Sequence, residues 1–205
     1  PTPAFALVRK MADADAIDLT YPLIVKPNEE GSSKGMGPAN VVDTRGEMMA
    51  QLERLLVDYE QAAIVEECAF GREFTVGFLG TDEPQALPLL EFVYLDKSRP
   101  AIYDLELKQD PPDKIRHDCP ADLDAALAAQ IVDVARRAFL ALSCRDIGRV
   151  DVRLDVEGRP QVLEVNPLPG LAPRYSDVCK MTESLDWPHT KLISAILDPA
   201  IARRV

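Results

Sequence analysis

The stretch Gly148-Arg149-Val150-Asp151-Val152-Arg153-Leu154-Asp155, continued through Glu157-Gly158 into Gln161-Val162-Leu163-Glu164-Val165-Asn166, decides the fold. Polar and apolar residues alternate with period two on both sides of a Glu-Gly pair. That is the pattern of two antiparallel strands closed as a hairpin. Alternation sets Arg149 and Asp151 on one face of the first strand, and Glu164 and Asn166 on one face of the second. The hairpin brings these faces together. Two carboxylates and an amide oxygen make a hard donor set that suits Mg²⁺ carrying nucleotide phosphates. An arginine beside them can hold a developing oxyanion or phosphate charge. The plain alternative is an outward, salt-bridged face.

Outward from the hairpin, the helix signal of Ala121–Ser143 opens after Pro120, with Leu123, Leu127, Ile131, Val134, Ala138 and Leu142 as its expected buried stripe. Leu23–Lys26 reads as a strand stopped by Pro27, and Thr44 as the cap of a helix running to Tyr59. That helix carries Met48, Met49, Leu52, Leu55 and Leu56 on one side. Val41–Val42, Ala63–Glu67, Glu73–Leu79 and Gln85–Tyr94 read as strands, and Thr190–Arg203 as a last helix. Residues 1–22 are mixed, with a short acidic helical piece near Ala12–Asp18, and Asp96–Asp118 reads as a long polar loop. The sum is an α+β or α/β layered chain with mostly antiparallel strands.

Three further segments can carry chemistry. The loop Glu30-Gly31-Ser32-Ser33-Lys34-Gly35-Met36-Gly37 follows Lys26-Pro27. Its glycines let backbone N–H groups and two hydroxyls approach an anion, and a lysine at a strand end supplies a point charge. It lacks the Walker A spacing, and a flexible hairpin loop remains the alternative. Glu66 and Glu67 close one strand and Glu73 opens the next, so carboxylates flank a hinge that can take a ribose and a purine edge; two surface glutamates are the bland reading. Pro167-Leu168-Pro169-Gly170-Leu171 is a rigid turn whose Gly170 amide can serve as an oxyanion donor or be structural only.

Composition narrows the classes. With 34 Asp+Glu against 23 Lys+Arg the net charge is −11, which opposes a broad nucleic-acid-binding face. No apolar run approaches the roughly 20 residues of a membrane span, and no signal segment opens the chain. Cys68, Cys119, Cys144 and Cys179 are widely spaced, so reduced thiols in the cytoplasm are expected and a zinc site is not.

Taken in order, Ile24-Val25-Lys26-Pro27, the Glu30–Met36 loop, Val65-Glu66-Glu67 with Phe70-Gly71-Arg72-Glu73-Phe74-Thr75-Val76, the Gly148–Asp155 strand and Leu163-Glu164-Val165-Asn166-Pro167-Leu168-Pro169-Gly170-Leu171 resemble the ATP-grasp domain of D-alanine–D-alanine ligases. The resemblance runs from Leu23 to the end. It implies an α+β ATP-grasp fold, with two α/β subdomains clasping the nucleotide between mainly antiparallel sheets. A small subdomain over 1–80 would hold the phosphate loop, and a large one over 81–205 the omega loop and Mg²⁺ site. Lys26, Gly31, Ser32 and Ser33 would contact ATP phosphates. Glu66, Glu67 and Ala69 would line the adenine hinge, Glu73 would bind ribose and Leu163 would cover adenine. Asp151, Glu164 and Asn166 would hold two Mg²⁺, with Mn²⁺ an alternative. Arg149 and the Gly170 amide would stabilise the tetrahedral intermediate. Lys108, in the Ile102–Lys108 segment that looks like the omega loop, would be directed at phosphate.

The implied activity is ATP-dependent, ADP-forming ligation of two amino acids through an acyl-phosphate, in peptidoglycan precursor synthesis, by a homodimer working on small molecules. Three departures stand against the family pattern. Gln109 replaces an aromatic after the omega-loop lysine. Leu171–Asp177 replaces a Thr/Ser-rich substrate segment and puts Tyr175, then Ser176, where a substrate-binding serine is expected. The family's N-terminal domain has no counterpart after Pro1, so weak nucleotide binding and poor ligation are expected of this chain alone. A ligase with a different amino-acid or peptide acceptor, and a non-catalytic nucleotide-binding fragment, stay open as alternatives.

Overall fold

The computed structural model describes residues 1–31, 33–104, 106–109 and 113–203, with Gln109 described by its backbone only. The chain forms two compact units: Pro3–Phe70 with Tyr94–Arg116, and Pro1–Thr2 with Gly71–Val93 and His117–Val205. This grouping differs from a division at residue 80 in three segments. Pro1–Thr2 and Gly71–Gly80 go with the C-terminal residues, and Tyr94–Arg116 goes with the N-terminal ones.

The first unit carries β1 (Phe5–Val8), β2 (Leu23–Pro27), β3 (Val41–Val42), α1 (Arg45–Asp58) and β4 (Ala63–Glu67). The strands form an antiparallel sheet in the order β1-β4-β2-β3. β1 and a 3₁₀ turn over Met11–Ala16 stand where the sequence suggested only a short helical piece. Thr44 and Glu47 cap α1 reciprocally: the Glu47 N–H donates to Thr44 Oγ1 at 3.3 Å, and the Thr44 N–H donates to Glu47 Oε2 at 3.2 Å. Met48, Leu52 and Leu55, spaced i, i+4 and i+7, are buried against Leu23, Val25, Ala63 and Val65. Met49 and Leu56 only flank that core.

The second sheet carries β5 (Glu73–Leu79), β6 (Gln85–Ala86), β7 (Leu90–Tyr94), β8 (Ile115–Asp118), β9 (Ile147–Leu154) and β10 (Pro160–Asn166), in the order β10-β9-β5-β7-β8 with β6 on β5. The expected strand over Gln85–Tyr94 is thus two, interrupted at Leu87-Pro88-Leu89, where Pro88 offers no N–H to a ladder. β8 arises inside the segment expected to be loop. Three helices follow β8 in sequence or intervene: α2 (Ala125–Ala141), α3 (Asp177–Glu183) and α4 (His189–Ala202). The sequence reading missed α3. α2 starts four residues later than expected, because the Asp124 side chain accepts from the Leu127 N–H at 2.9 Å and so caps it.

The buried face of α2 is Ile131, Val134, Ala135 and Phe139; of the expected stripe, Leu123, Leu127 and Ala138 pack partly buried against the same core, and Leu142 is exposed. Phe139 sets the phase by seating its ring 5.3 Å from that of Phe78 on β5. Phe74, Val76 and Phe78 of β5 and Val150, Val152 and Leu154 of β9 complete this core. The opposite face of the same two strands therefore presents Glu73, Thr75 and Gly77 beside Arg153, Asp151 and Arg149, each directly across from its partner. Among the described residues no helix is long and apolar enough to cross a membrane.

Candidate active site

The polar face of the second sheet is built by a β-bulge. β10 pairs β9 as Val162↔Val152, then as Glu164↔Asp151 and Asn166↔Arg149, with a register shift at Leu163. Strict alternation from buried Val162 would turn Glu164 and Asn166 into the apolar core. The extra residue turns them onto the face of Asp151 while Val165 still packs against the core. Leu163, the residue expected to cover adenine, is the bulge itself and is half-buried.

Asp151 is the hub. Its Oδ1 accepts from Thr75 Oγ1 at 2.6 Å and from Arg149 Nε at 2.9 Å. Its Oδ2 accepts from Arg149 Nη2 at 2.9 Å and from Asn166 Nδ2 at 3.3 Å. Asn166 Nδ2 also donates to Glu164 Oε1 at 2.7 Å, and the Arg149 guanidinium reaches Asp177 Oδ2 at 3.0 Å. Burial works to lower the Arg149 pKa, but Asp151, Asp177 and Glu164 outweigh it and hold the group above its ordinary value. Loss of water raises the Glu164 carboxyl, and the charge of Asp151 raises it further. Burial raises Asp177 against the pull of Arg149.

Among the described residues no three His, Cys, Asp or Glu side chains group as a metal site. The candidate set is two carboxylates and one amide. It fits a hard divalent cation on its donors: Asp151 and Glu164 repel one another, and Asn166 lies within hydrogen-bond reach of both. Turned about its last bond, the Asn166 amide offers its oxygen to the same space.

Nearby on this face, Glu73 and Arg153 form a buried ion pair at 3.1 Å, and Arg153 Nε donates to the Gly71 carbonyl at 3.1 Å. The 166–176 loop folds on itself: Ser176 Oγ accepts from the Ala172 N–H at 3.0 Å. A methyl at Gly170 would stand 2.8 Å from that oxygen, so only glycine fits the approach without movement. Tyr175 is exposed. Sequence reasoning did not assign roles to Thr75 and Asp177. Thr75 was reachable from alternation starting at Glu73, whereas Asp177 gave no local signal.

In the first unit, Lys26 Nζ meets Glu66 Oε2 at 2.7 Å across β2 and β4, and both are largely buried. Glu67 turns away: its Oε1 accepts from the Thr20 N–H at 2.8 Å, and its own N–H donates to the Ala4 carbonyl. Ala69 is buried. Gly31 is exposed, and Ser33, at φ 57°, donates its hydroxyl to the Tyr103 carbonyl at 2.7 Å. Gly35 (φ 77°) leaves no room for a side chain beneath Tyr59. Lys108 Nζ lies 5.7 Å from the Tyr103 ring centroid. Ser32 and Leu105 lie outside the described residues, as does the Gln109 side chain.

The family model described as D-ala D-ala ligase C-terminus matches residues 5–198. An uncharacterized protein of Sinorhizobium fredii is 34% identical over 203 residues, 99% of this chain and 59% of that protein. A D-alanine–D-alanine ligase of Bordetella petrii is 34% identical over 205 residues, 98% of this chain and 60% of its own length. The chain thus spans about three-fifths of the curated relatives it matches. The crystal structure of the D-alanine–D-alanine ligase from Bacillus anthracis superposes with a TM-score of 0.74 at 24% identity, over 99% of this chain and 63% of that one. The VanG D-Ala:D-Ser ligase from Enterococcus faecalis superposes with a TM-score of 0.75 at 25% identity, over 96% and 56%.

Proposed function

The chain belongs to the family of D-alanine–D-alanine ligase C-terminal domains, and from that premise we propose that it is the nucleotide- and metal-handling part of an ATP-dependent, ADP-forming ligase that joins two amino acids, D-alanine first among them. The observation that carries the reading is the convergence of Asp151, Glu164 and Asn166 beside Arg149 on one sheet face.

In this reading a carboxylate oxygen of the first amino acid attacks the γ-phosphorus of ATP, and ADP leaves. The amine nitrogen of the second then attacks the acyl carbon, inorganic phosphate leaves and the amine gives up its proton. Asp151, Glu164 and Asn166 would hold Mg²⁺ as two ions. When bound, the metal offsets the charge of the triphosphate and of the transferring phosphoryl group. Lys26 exchanges Glu66 for a phosphate oxygen. Gly31, Ser32, Ser33 and Lys108 complete the phosphate contacts, and Glu66, Glu67 and Ala69 form the hinge beside adenine. For Glu67 the contact is through the backbone, since its carboxylate is engaged by Thr20. Glu73, held by Arg153, accepts from ribose hydroxyls, and Leu163 covers the base. Arg149 and the Gly170 N–H face the oxyanion of the tetrahedral intermediate. Ser176, freed from Ala172, and Tyr175 face the acceptor.

Two narrower points belong to the same proposal: the full protein works as a homodimer on small molecules, and it does so in the cytoplasm, with which four free thiols agree. A second reading has its own support. Exposed Tyr175, and Asp177 drawn onto Arg149, lie in the segment that departs from the family pattern, which favours an acceptor other than D-alanine. The test is ADP release by the full-length protein with Mg·ATP and a panel of single amino acids and dipeptides. Stimulation by D-alanine alone, with a dipeptide product, supports the first reading. Stimulation only by another amine or carboxylate supports the second. No stimulation by any member of the panel refutes both.

A further inference from the structure

The reading above gives Asp177 no task, yet its placement is costly. Its side chain is 10% exposed at the first residue of α3, and a buried carboxylate destabilises unless it is paired. The pairing goes to an arginine already engaged. Arg149 makes a two-pronged contact with Asp151 through Nε and Nη2, each at 2.9 Å, and Nη1 donates to Asp177 Oδ2 at 3.0 Å. Three of the five guanidinium hydrogens are assigned in this way, leaving one on Nη1 and one on Nη2. A second buried acid on a satisfied arginine adds desolvation cost for little net stability. What it adds is geometry, because the guanidinium plane is held at both ends.

The same residues join Arg149 to the turn that carries Gly170. Ser176, next to Asp177, accepts from the Ala172 N–H at 3.0 Å, and its hydroxyl fills the space beside the Gly170 α-carbon. The start of α3 therefore ties the arginine and the Gly170 segment into one piece. We propose that Asp177 is a positioning residue: it fixes the Arg149 guanidinium relative to the Gly170 turn, so that the two remaining N–H donors aim at the oxygen where charge develops during amine attack on the acyl-phosphate. The proposal rests on the ligase reading for its chemistry, and for its geometry on the Arg149–Asp177 contact and the packing of Ser176 on the Gly170 turn.

The experiment uses the full-length protein and its Asp177→Asn and Asp177→Glu variants, with Mg·ATP and whichever amino-acid pair stimulates ADP release. Asp177→Asn should leave the KM for ATP within about twofold and lower kcat by roughly 10- to 100-fold, the scale of a misplaced catalytic group. ADP released per amide bond formed should rise above one, because water then takes the acyl group and returns the carboxylate and inorganic phosphate. Asp177→Glu should recover part of both kcat and coupling. An unchanged kcat overturns the proposal. So does a ratio that stays at one while kcat, ATP binding and Tm decline together, which is the result of a structural role.

A readout without turnover separates this failure from that of the ligase reading. With ¹⁵N-labelled arginine, hindered rotation should resolve the two Nη1 hydrogens of Arg149 in the parent, and Asp177→Asn should merge them. Unchanged Arg149 signals in the variant overturn the proposal, even for a protein that releases no ADP with any amino acid.

Discussion

Replacing Arg153 by Met removes the guanidinium that faces Glu73 at 3.1 Å in a pair whose side chains are each 8% exposed. At that distance and an effective dielectric constant near 20, the attraction is about 5 kcal/mol. Desolvation of both ions offsets most of it while the pair is intact. It does not offset the loss when one ion is removed, so Arg153→Met should destabilise by roughly 3–5 kcal/mol. The Arg153 Nε bond to the Gly71 carbonyl is lost in the same change. Replacing both members, as Glu73→Leu with Arg153→Met, removes the buried charge altogether and should cost only about 1–2 kcal/mol.

The signature is therefore non-additivity, a coupling of at least about 2 kcal/mol. Urea titrations of the four proteins, followed by fluorescence of Trp187, the single tryptophan of this sequence, measure it. Single-variant effects that sum to the double-variant effect within about 0.5 kcal/mol would refute the reasoning. ATP affinity separates stability from function: the double variant should regain stability and still bind ATP weakly, because the carboxylate proposed to hold ribose is gone.

Three further outcomes are expected. Gly71→Ala should destabilise by about 2–4 kcal/mol, since its methyl would stand 2.6 Å from the backbone oxygen of Leu154, which also accepts the Gly71 N–H; a Tm within 2 °C of the parent contradicts this. Burial works to raise Asp155, but N–H groups of Arg159 and Glu157 and side chains of Arg159 and Gln161 outweigh it and lower the carboxyl to about 2. A depressed acid stabilises above its unfolded pKa and loses that contribution as pH falls through the folded value, so the Tm gap between parent and Asp155→Asn should shrink from pH 5 to pH 2, and a constant gap would sink the assignment. Glu164→Gln should leave folding intact, because the residue lies at the rim of the sheet. It should lower Mg²⁺-dependent ADP release by at least 100-fold, and retained turnover at saturating Mg²⁺ would remove Glu164 from the metal set.

Much of the architecture is legible in one dimension because its signals are local. Ala63–Glu67, a short apolar run ended by two glutamates, and Glu73–Leu79, which alternates, are marked locally, and the structure gives them those bounds. Thr44 with Glu47 marks the start of α1 within four residues. The motifs around Lys26, Gly31, Arg149 and Glu164 stand in an order that points to one family, whose model matches residues 5–198. Short elements at the margins were not legible. Phe5–Val8, Ile115–Asp118 and Asp177–Glu183 span four, four and seven residues, too few for a period to stand out.

What the sequence determined by itself is which side chains are available and on which strands they lie. Tertiary structure decided which of them meet. The hairpin reading placed Glu164 with Asp151, yet strict alternation from buried Val162 would send it into the core; the Leu163 bulge, which depends on pairing with β9, is what turns it to Asp151. The phase of α2 follows from Phe139 reaching Phe78, a contact across 61 positions of chain that no local period encodes. Asp177 came to Arg149 by the folding of a loop, 28 residues away in sequence. Periodicity is a property of neighbours along the chain. Register, helix phase and the partner of a buried charge are set by which apolar faces can close against one another in space.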